Sequence, residues 1–185
     1  MIFTWHYNSE IGRILLAAEE TGLIGLWLEG QKYFANCLHE STTERKTPPI
    51  SEAIRWLETY FSGREPDFLP PLHPIGSPFR QAVWKRLLQI PYGQTVSYGA
   101  IAAELAASSG RRVSAQAVGG AVGHNEISVI IPCHRVVGTN GSLTGYAGGL
   151  EKKVRLLTLE GVDMSGLFIP KNRRERQAEE SPCHR

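Results

Sequence analysis

The sequence has few cysteines, no long apolar run and almost no net charge. Its 185 residues include three Cys, an odd number without regular spacing, which argues against a disulfide scaffold and favours a reduced, cytoplasmic compartment. No uncharged apolar run approaches the roughly 18 residues of a membrane-spanning helix. The first residues lack the basic-then-apolar pattern of a secretory signal. These absences predict an intracellular globular protein that does not enter a membrane.

The charge is unevenly distributed along the chain. Residues 1–75 contain six Lys or Arg and ten Asp or Glu, whereas residues 76–185 contain fourteen and eight. Such an asymmetry can mark a half that binds nucleic acid. It is equally compatible with two domains that are solvated differently, so the charge leaves both interpretations open.

The first part of the chain has the pattern of a small antiparallel sheet followed by a helix. Apolar segments at 2–7, 13–18 and 23–28 are separated by turn-forming residues, which predicts three strands. Residues 39–49 are polar and end in two prolines, which predicts a loop. Ser51 can cap a helix, which is then expected to run through about Phe61.

A proline-rich stretch separates the two halves. Five of the eleven prolines lie within residues 62–78, and proline breaks both helices and strand ladders because it lacks the amide donor. We therefore expect a domain boundary here, with an N-terminal α/β domain over 1–75 and a second domain over 76–170. The polar, charged residues 171–185 predict a disordered tail.

The second half has the pattern of a mostly helical domain. Ser77, Ser97 and Ser114 each stand where they can cap a helix. A last helix is expected over about 151–160. The two central helices are separated by a break that contains Gly110, which makes them a helix-turn-helix candidate. Most helix pairs are simply packed helices, so this pattern by itself does not indicate DNA binding.

Residues 127–137 carry the clearest chemical signal. An apolar, strand-like run leads to Cys133, which is followed directly by His134 and Arg135. The thiolate is the nucleophilic form of cysteine, and a neighbouring base or cation lowers the pKa of the thiol. A buried structural cysteine beside a surface histidine is the alternative interpretation of the same residues.

The residues around this motif resemble those of the O6-alkylguanine-DNA alkyltransferases, also called methylated-DNA–protein-cysteine methyltransferases. Pro132–Arg135 is similar to the active-site motif of that family. The similarity continues over roughly residues 77–162 in the family order, and the N-terminal half matches more loosely. The other matching segments are Phe79–Trp84, Gly93–Tyr98, Ala117–Ala121, Asn125, Gly145–Gly149 and Leu159–Gly161.

The resemblance implies a two-domain α/β fold. The first domain would be a small antiparallel-sheet, ribonuclease-H-like domain, and the second a mostly helical, winged-helix-like domain with a helix-turn-helix. The implied function is DNA repair in which Cys133 irreversibly takes the alkyl group from O6-alkylguanine, and from O4-alkylthymine, in duplex DNA. A monomer is expected, with no cofactor and no metal, although some family members bind zinc in the first domain.

The resemblance also assigns catalytic roles. Glu160 would orient His134, and His134 would deprotonate Cys133 through a water, in the manner of a catalytic triad. Tyr98 would donate a proton toward guanine N3, and Asn125 would brace the turn before the motif. The implied substrate contacts are the carbonyls of Cys133 and Val136, the residue Tyr146 and the backbone amide of Ala147.

The same resemblance implies that the target nucleotide is flipped out of the duplex while a helix lies in the minor groove. That groove is only about 6 Å wide, which favours small side chains on the helix. Close helix packing is the alternative explanation for the small residues. The implied DNA contacts are Arg111, Arg112, Gln116, Ala117, Gly119, Gly120, Ala121 and Arg135.

Three positions depart from the family pattern. Gln116 stands where well-known members carry an arginine that pushes the base out, so the flipping mechanism is open. Glu126 stands where many members have proline, and Ala147 stands where some have serine.

The remaining cysteines are not expected to be nucleophiles. Cys183 lies in a second Pro-Cys-His-Arg at the end of the chain, but it lacks an apolar flank, and an unpacked thiol keeps its ordinary pKa. Cys37 and His39 have C-x-H spacing without a partner cluster, which predicts structural residues.

Two other functional classes compete with the alkyltransferase. A noncatalytic lesion sensor on the same fold would lack the cysteine, so Cys133 argues against it. A Cys–His hydrolase would need an oxyanion hole, which the sequence does not identify.

Overall fold

A four-stranded sheet forms the first layer of the structure, a computed structural model that describes residues 1–38 and 41–170. Strands β1 (Ile2–Ser9), β2 (Gly12–Ala18) and β3 (Leu23–Leu28) pair antiparallel in chain order. The predicted meander is therefore confirmed. All six residues of β3 are buried, because both faces of this strand are covered by other parts of the chain.

A fourth strand, β4 (Thr42–Glu44), pairs parallel with β1 at the edge of the sheet. The prediction of a loop throughout 39–49 is wrong at this point. All three residues of β4 are exposed, so no apolar alternation marks the strand in the sequence. Backbone pairing with the start of β1 is what defines it.

Helix α1 (Pro48–Phe61) packs across the inner face of the sheet. It begins three residues before the predicted start at Ser51, and its N-cap is Thr47. Two prolines open the helix, and they fit its first turn because the amides there have no partner within the helix. The proline pair is therefore a helix start rather than the end of a loop.

The proline-rich segment 62–77 lies along the free edge of β3. The amide of Leu23 donates to the carbonyl of Pro71, and the amide of His73 donates to the carbonyl of Leu23, both at 2.8 Å. One continuous hydrophobic cluster includes residues from both halves, among them Leu26, Leu57, Trp84 and Ile127. The two halves share a core, and the division into domains at this segment stays a prediction.

Four helices build the second half: α2 (Pro78–Leu87), α3 (Tyr98–Ser109), α4 (Ala115–Gly123) and α5 (Leu150–Leu159). Each of the first three follows a serine whose side chain accepts a hydrogen bond from the amide three residues later, as predicted. These serines are Ser77, Ser97 and Ser114. Helices α3 and α4 pack together as the helix-turn-helix, so the predicted mostly helical second half is confirmed.

The apolar run before Cys133 is not a strand. Only Ile127 makes a bridge, parallel with Leu26 of β3, and the chain then turns with Val129 in the left-handed region at φ 70°. Cys133–Arg135 form a one-turn 3-10 helix. The run is apolar because every residue in it is buried, and a short buried apolar segment gives no periodicity that separates a strand from a turn.

Two short strands connect this segment to the helix-turn-helix. Strand β5 (Val96–Ser97) pairs parallel with β6 (Val136–Val137), which directly follows the one-turn helix. The pairing brings Tyr98, the first residue of α3, toward the cysteine segment. Within residues 1–38 and 41–170, no helix combines the length and apolar character needed to cross a membrane.

Candidate active site

Asn125 fixes the loop that leads to Cys133. Its side-chain nitrogen donates to the carbonyls of Ile131 at 2.8 Å and Ile127 at 3.3 Å, and its oxygen accepts from the amide of Ile127 at 3.1 Å. The amide of Cys133 donates to the carbonyl of Ile131 at 2.8 Å. The end of α4 and the cysteine are thus connected through one carbonyl group, which is the geometry that a bracing role requires.

His134 and Glu160 form a fully buried pair at the end of α5. The Nε2 atom of His134 lies 2.6 Å from a carboxylate oxygen of Glu160. A carboxylate only accepts hydrogen bonds, so Nε2 carries the proton and donates it. The other ring nitrogen, Nδ1, is buried and has no hydrogen-bond partner within the described residues. It is therefore a free basic nitrogen one residue away from the cysteine.

The charge states of this pair follow from its surroundings. Burial lowers the pKa of His134 against the opposing effect of Glu160, and the charges of Arg135 and Lys153 lower it further. Burial acts to raise the pKa of Glu160, but its hydrogen bonds and charge interactions with His134 and Arg135 together lower it to about 2. At neutral pH the site holds a carboxylate and a neutral imidazole.

The Cys133 side chain is buried, and burial raises the pKa of its thiol. Hydrogen bonding by Asn125 and the charge of Lys153 oppose this effect without outweighing it. Neighbouring groups therefore do lower the pKa of this thiol, but burial outweighs them and the net shift is upward. At neutral pH the group is a thiol, so a reaction at its sulfur requires a base that removes the proton.

Lys153 belongs to this site, a placement that the sequence analysis missed. Its fully buried ammonium group donates to the carbonyl of Val136 at 2.6 Å and to that of Thr144 at 3.1 Å. Burial lowers its pKa to about 8. The signal in the sequence was a lysine on the apolar face of α5, three and four residues before Leu156 and Leu157.

Arg135 does not face solvent. Its guanidinium donates to both oxygens of Glu160, at 2.8 Å and 3.1 Å, and to the carbonyl of Ile90 at 2.6 Å. The side chain is buried, and its donors are directed at groups inside the protein. The DNA contact by Arg135 stays a prediction that this placement does not favour, because a phosphate would have to replace a buried, bidentate carboxylate.

The loop that follows β6 lies against the cysteine segment and α3. The Tyr98 hydroxyl donates to the carbonyl of Thr144 at 3.0 Å. Gly145 has φ 73°, and a side chain there would approach the Tyr98 oxygen to 3.1 Å, so glycine suits this position in two ways. Tyr146 is buried, and its hydroxyl has no partner within the described part of the chain. Of the two expected site tyrosines, Tyr98 therefore contacts the loop and Tyr146 belongs to it.

A pocket of about 270 Å³ opens between this loop and α4. The N-terminal half also lines this pocket, which nothing in the sequence indicated. The amide of Lys32 donates to the carbonyl of Ala147 at 2.9 Å, and the Tyr33 ring stacks on His124 with the ring centroids 4.2 Å apart. The remaining lining residues are Gly119, Gly120, Gly123, Gly145 and Tyr146.

The predicted DNA contacts divide into outward and inward residues. Gly119 is half-buried beside the Tyr98 ring. Ala121 is buried, and its carbonyl accepts from the Trp84 indole at 2.9 Å; its contact with DNA stays a prediction that this placement does not favour. The exposed residues are Arg111, Arg112, Gln116, Ala117 and Gly120.

The second described cysteine is poorly suited to nucleophilic chemistry. Burial, together with the neighbouring Glu126, raises the pKa of Cys37 to about 11. His39 and Cys183 lie outside the described residues. Among residues 1–38 and 41–170, no three His, Cys, Asp or Glu side chains are grouped so that they could hold a metal ion.

Comparisons with known proteins connect both halves to one family. Residues 78–162 match the model described as 6-O-methylguanine DNA methyltransferase, DNA binding domain. Residues 2–74 match the model described as 6-O-methylguanine DNA methyltransferase, ribonuclease-like domain. A methylated-DNA–protein-cysteine methyltransferase of Methanosarcina acetivorans is 44% identical over 156 residues, which are 84% of this chain and 96% of that protein.

Solved structures of methyltransferases are similar to this chain as well. The crystal structure of the Mycobacterium tuberculosis O6-methylguanine methyltransferase has a TM-score of 0.74 and 41% identity, covering 86% of this chain and 93% of that one. A crystal structure of Mycobacterium tuberculosis OGT in complex with DNA has a TM-score of 0.73 and 41% identity, covering 86% and 91%.

Proposed function

Because the chain belongs to the 6-O-methylguanine DNA methyltransferase family and is a methylated-DNA–protein-cysteine methyltransferase, we propose that Cys133 is the residue that accepts the alkyl group. The chain repairs DNA by alkyl transfer, and in this proposal one molecule acts once. The observation that supports it is the buried His134–Glu160 pair, which leaves one imidazole nitrogen free on the residue that follows a protonated, buried thiol in the chain.

The transfer begins with removal of the thiol proton. The free Nδ1 of His134 accepts that proton from Cys133 through one bridging water, and Glu160 stabilises the imidazolium that forms. The sulfur then forms a bond to the alkyl carbon as the bond from that carbon to guanine O6 breaks. The product is a thioether, which has no easy leaving group, so the cysteine is not regenerated.

The departing guanine needs a proton donor. Burial, together with the charge of Cys133, raises the pKa of Tyr98 to about 12, so its hydroxyl keeps its proton at neutral pH. We assign Tyr98 as the donor toward guanine N3, in exchange for its present bond to Thr144. The proton that His134 took from the thiol then restores the Tyr98 hydroxyl, so both residues end neutral and guanine leaves with the proton from Tyr98. The amide of Ala147 is assigned to O6, and the carbonyls of Cys133 and Val136 to the exocyclic amine.

The alkylated nucleotide reaches this pocket extrahelically. While the base is stacked inside a duplex, the alkyl carbon on O6 cannot reach a buried sulfur. The nucleotide must therefore rotate out of the stack. The exposed small residues Ala117 and Gly120 suit α4 to the minor groove, where a bulky side chain would not fit. O4-alkylthymine carries its alkyl group on an equivalent exocyclic oxygen, and we propose it as a second substrate.

Gln116→Arg is expected to raise the repair rate on duplex DNA by about 3- to 10-fold. Glutamine donates only neutral hydrogen bonds, whereas an arginine in the vacated space adds charge-assisted bonds to phosphate or base. Reaction with free O6-benzylguanine should change less than about twofold, because a free base needs no extrusion. Single-turnover rates on both substrates test this, and an equal gain on both would show that Gln116 does not limit flipping.

Replacing Arg111 and Arg112 by Ala is expected to weaken duplex binding uniformly across sequences. Both are exposed just before α4, where they can contact phosphates, and each lost contact removes about 0.9 from the slope of log affinity against log salt concentration. Binding titrations at several salt concentrations measure that slope. The matched control is Arg13→Ala on the exposed start of β2, which should leave the slope unchanged.

One incubation tests the proposed function itself. The protein is mixed with excess O6-methylguanine duplex and its mass is followed over time. Addition of one methyl group per molecule, without further turnover, is the expected result. Binding without modification would indicate a lesion sensor, and repeated turnover or a transient acyl adduct would indicate a Cys–His hydrolase.

A further inference from the structure

Tyr60 connects the N-terminal half directly to the catalytic pair. It lies in the last turn of α1, fully buried, and its hydroxyl donates to Glu160 at 2.7 Å. The same oxygen lies 3.3 Å from Nε2 of His134. Nothing in the sequence indicated this contact, because 100 residues separate the tyrosine from the glutamate.

The ring of Tyr60 is held by its neighbours. Trp56 stacks on it with the centroids 5.1 Å apart, and Tyr92 and His134 meet it edge-on at 6.0 Å and 6.3 Å. Aromatic side chains thus enclose the ring, while its hydroxyl meets Glu160 and His134. A phenylalanine would keep these ring contacts and lose only the hydroxyl.

The carboxylate of Glu160 is surrounded by donors. One oxygen accepts from Nε2 of His134, from Tyr60 and from Arg135 at 3.1 Å, and the other accepts from Arg135 at 2.8 Å and from the amide of Gly93 at 3.2 Å. Arg135 alone could rotate the carboxylate away from the imidazole. Tyr60 donates to the oxygen that also binds His134, which opposes that rotation.

We propose that Tyr60 is a positioning residue for alkyl transfer: its hydroxyl keeps Glu160 paired with Nε2 of His134 and so keeps Nδ1 unprotonated as the base for Cys133. This inference rests on the proposed function of that pair and deepens it. It makes the rate of thiol deprotonation depend on a residue of the N-terminal half.

Tyr60→Phe tests the proposal on the full-length chain. We expect the single-turnover rate with free O6-benzylguanine and with duplex to fall by about tenfold on both substrates, the size expected for a hydrogen bond to a charged group. In ¹⁵N spectra of the unreacted protein, His134 should change from a protonated Nε2 with a free Nδ1 toward a mixture of the two tautomers. A loss of packing alone would not exchange the protonated nitrogen.

Tyr92→Phe is the matched control. Tyr92 packs against the same ring, but its hydroxyl donates to the carbonyl of Leu159 at 3.4 Å and not to Glu160. The Tyr92→Phe protein should keep the wild-type tautomer of His134 and a transfer rate within about twofold of the wild-type rate. Equal rates for both variants, or a wild-type tautomer in Tyr60→Phe, would overturn the role of Tyr60. Absence of a methyl adduct on wild-type Cys133 would instead overturn the proposed function, and the spectra would still report on Tyr60.

Discussion

Cys133→Ala is expected to abolish alkyl transfer and to leave binding to duplex DNA close to the wild-type affinity. In the proposed mechanism the alkyl carbon bonds to this sulfur, and no other described thiol is placed to replace it, since the pKa of Cys37 is raised to about 11. The exposed residues proposed to contact DNA lie before and on α4, outside the site of the substitution. Peptide mass analysis after incubation with O6-methylguanine duplex measures the first effect, and a binding titration measures the second.

Cys37→Ala is the matched control for this prediction. It removes a thiol from the same chain, but outside the site, and should leave one methyl group per molecule on Cys133. Cys183→Ala makes the same comparison for the cysteine beyond the described residues. Alkylation of the Cys133→Ala protein at either remaining cysteine would contradict the assignment of the acceptor.

Glu160→Gln should slow alkyl transfer by about 10²- to 10⁴-fold, the usual contribution of a positioned general base and its orienting acid. The carboxamide offers one accepting oxygen in place of two. Its amino group is itself a donor, so it cannot accept the hydrogen bond from Arg135 or from Nε2 of His134 that it then faces. Arg135 would be left buried with an incomplete partner, which costs about 3–5 kcal/mol of the free energy of unfolding. Single-turnover kinetics and denaturant titration measure the two effects separately.

The pH dependence of stability provides an independent check on the same carboxylate. The pKa of Glu160 is about 2 in the folded protein against an ordinary value of 4.5, so the unfolded chain binds a proton first as the pH falls. The stabilisation is therefore present above pH 4.5 and is lost between 4.5 and about 2. The lowered pKa of His134 acts in the same direction, because below its ordinary value of 6.5 the unfolded chain again binds a proton first.

Glu160→Gln should flatten the part of this acid slope that lies below pH 4.5. Glu151→Gln, on the exposed side of α5, is the control and should retain the wild-type slope and the wild-type rate. Denaturation curves between pH 7 and pH 3 compare the three proteins. A wild-type slope in Glu160→Gln would show that the carboxylate is not held as an ion by Arg135 and His134.

Features that depend on residues close in sequence could be predicted from the sequence. The serine caps of α2, α3 and α4 use a hydrogen bond to the third residue ahead, so Ser77, Ser97 and Ser114 carry the whole signal. The meander over β1 to β3 follows from apolar segments separated by short turns. The family motif at Pro132–Arg135 indicated the chemistry for the same reason, since its residues are adjacent.

Features that depend on burial and long-range contact could not be predicted in this way. The sequence shows that Arg135 and Lys153 are charged, but not that both donate to groups inside the protein. Arg135 donates to Glu160, and Lys153 donates to the carbonyls of Val136 and Thr144. An apolar run does not report whether its backbone pairs or turns, as residues 127–131 demonstrate.

The state of the nucleophile was likewise decided by the tertiary structure. Adjacent basic residues suggested a lowered pKa for Cys133, but the fold buries the thiol, and desolvation outweighs the lowering effects of Asn125 and Lys153. The sequence by itself determined the family and the local motif at Pro132–Arg135. Packing of the two halves around Glu160 decided which residues face one another, because a hydrogen bond across 100 residues, from Tyr60 to Glu160, leaves no local trace in the chain.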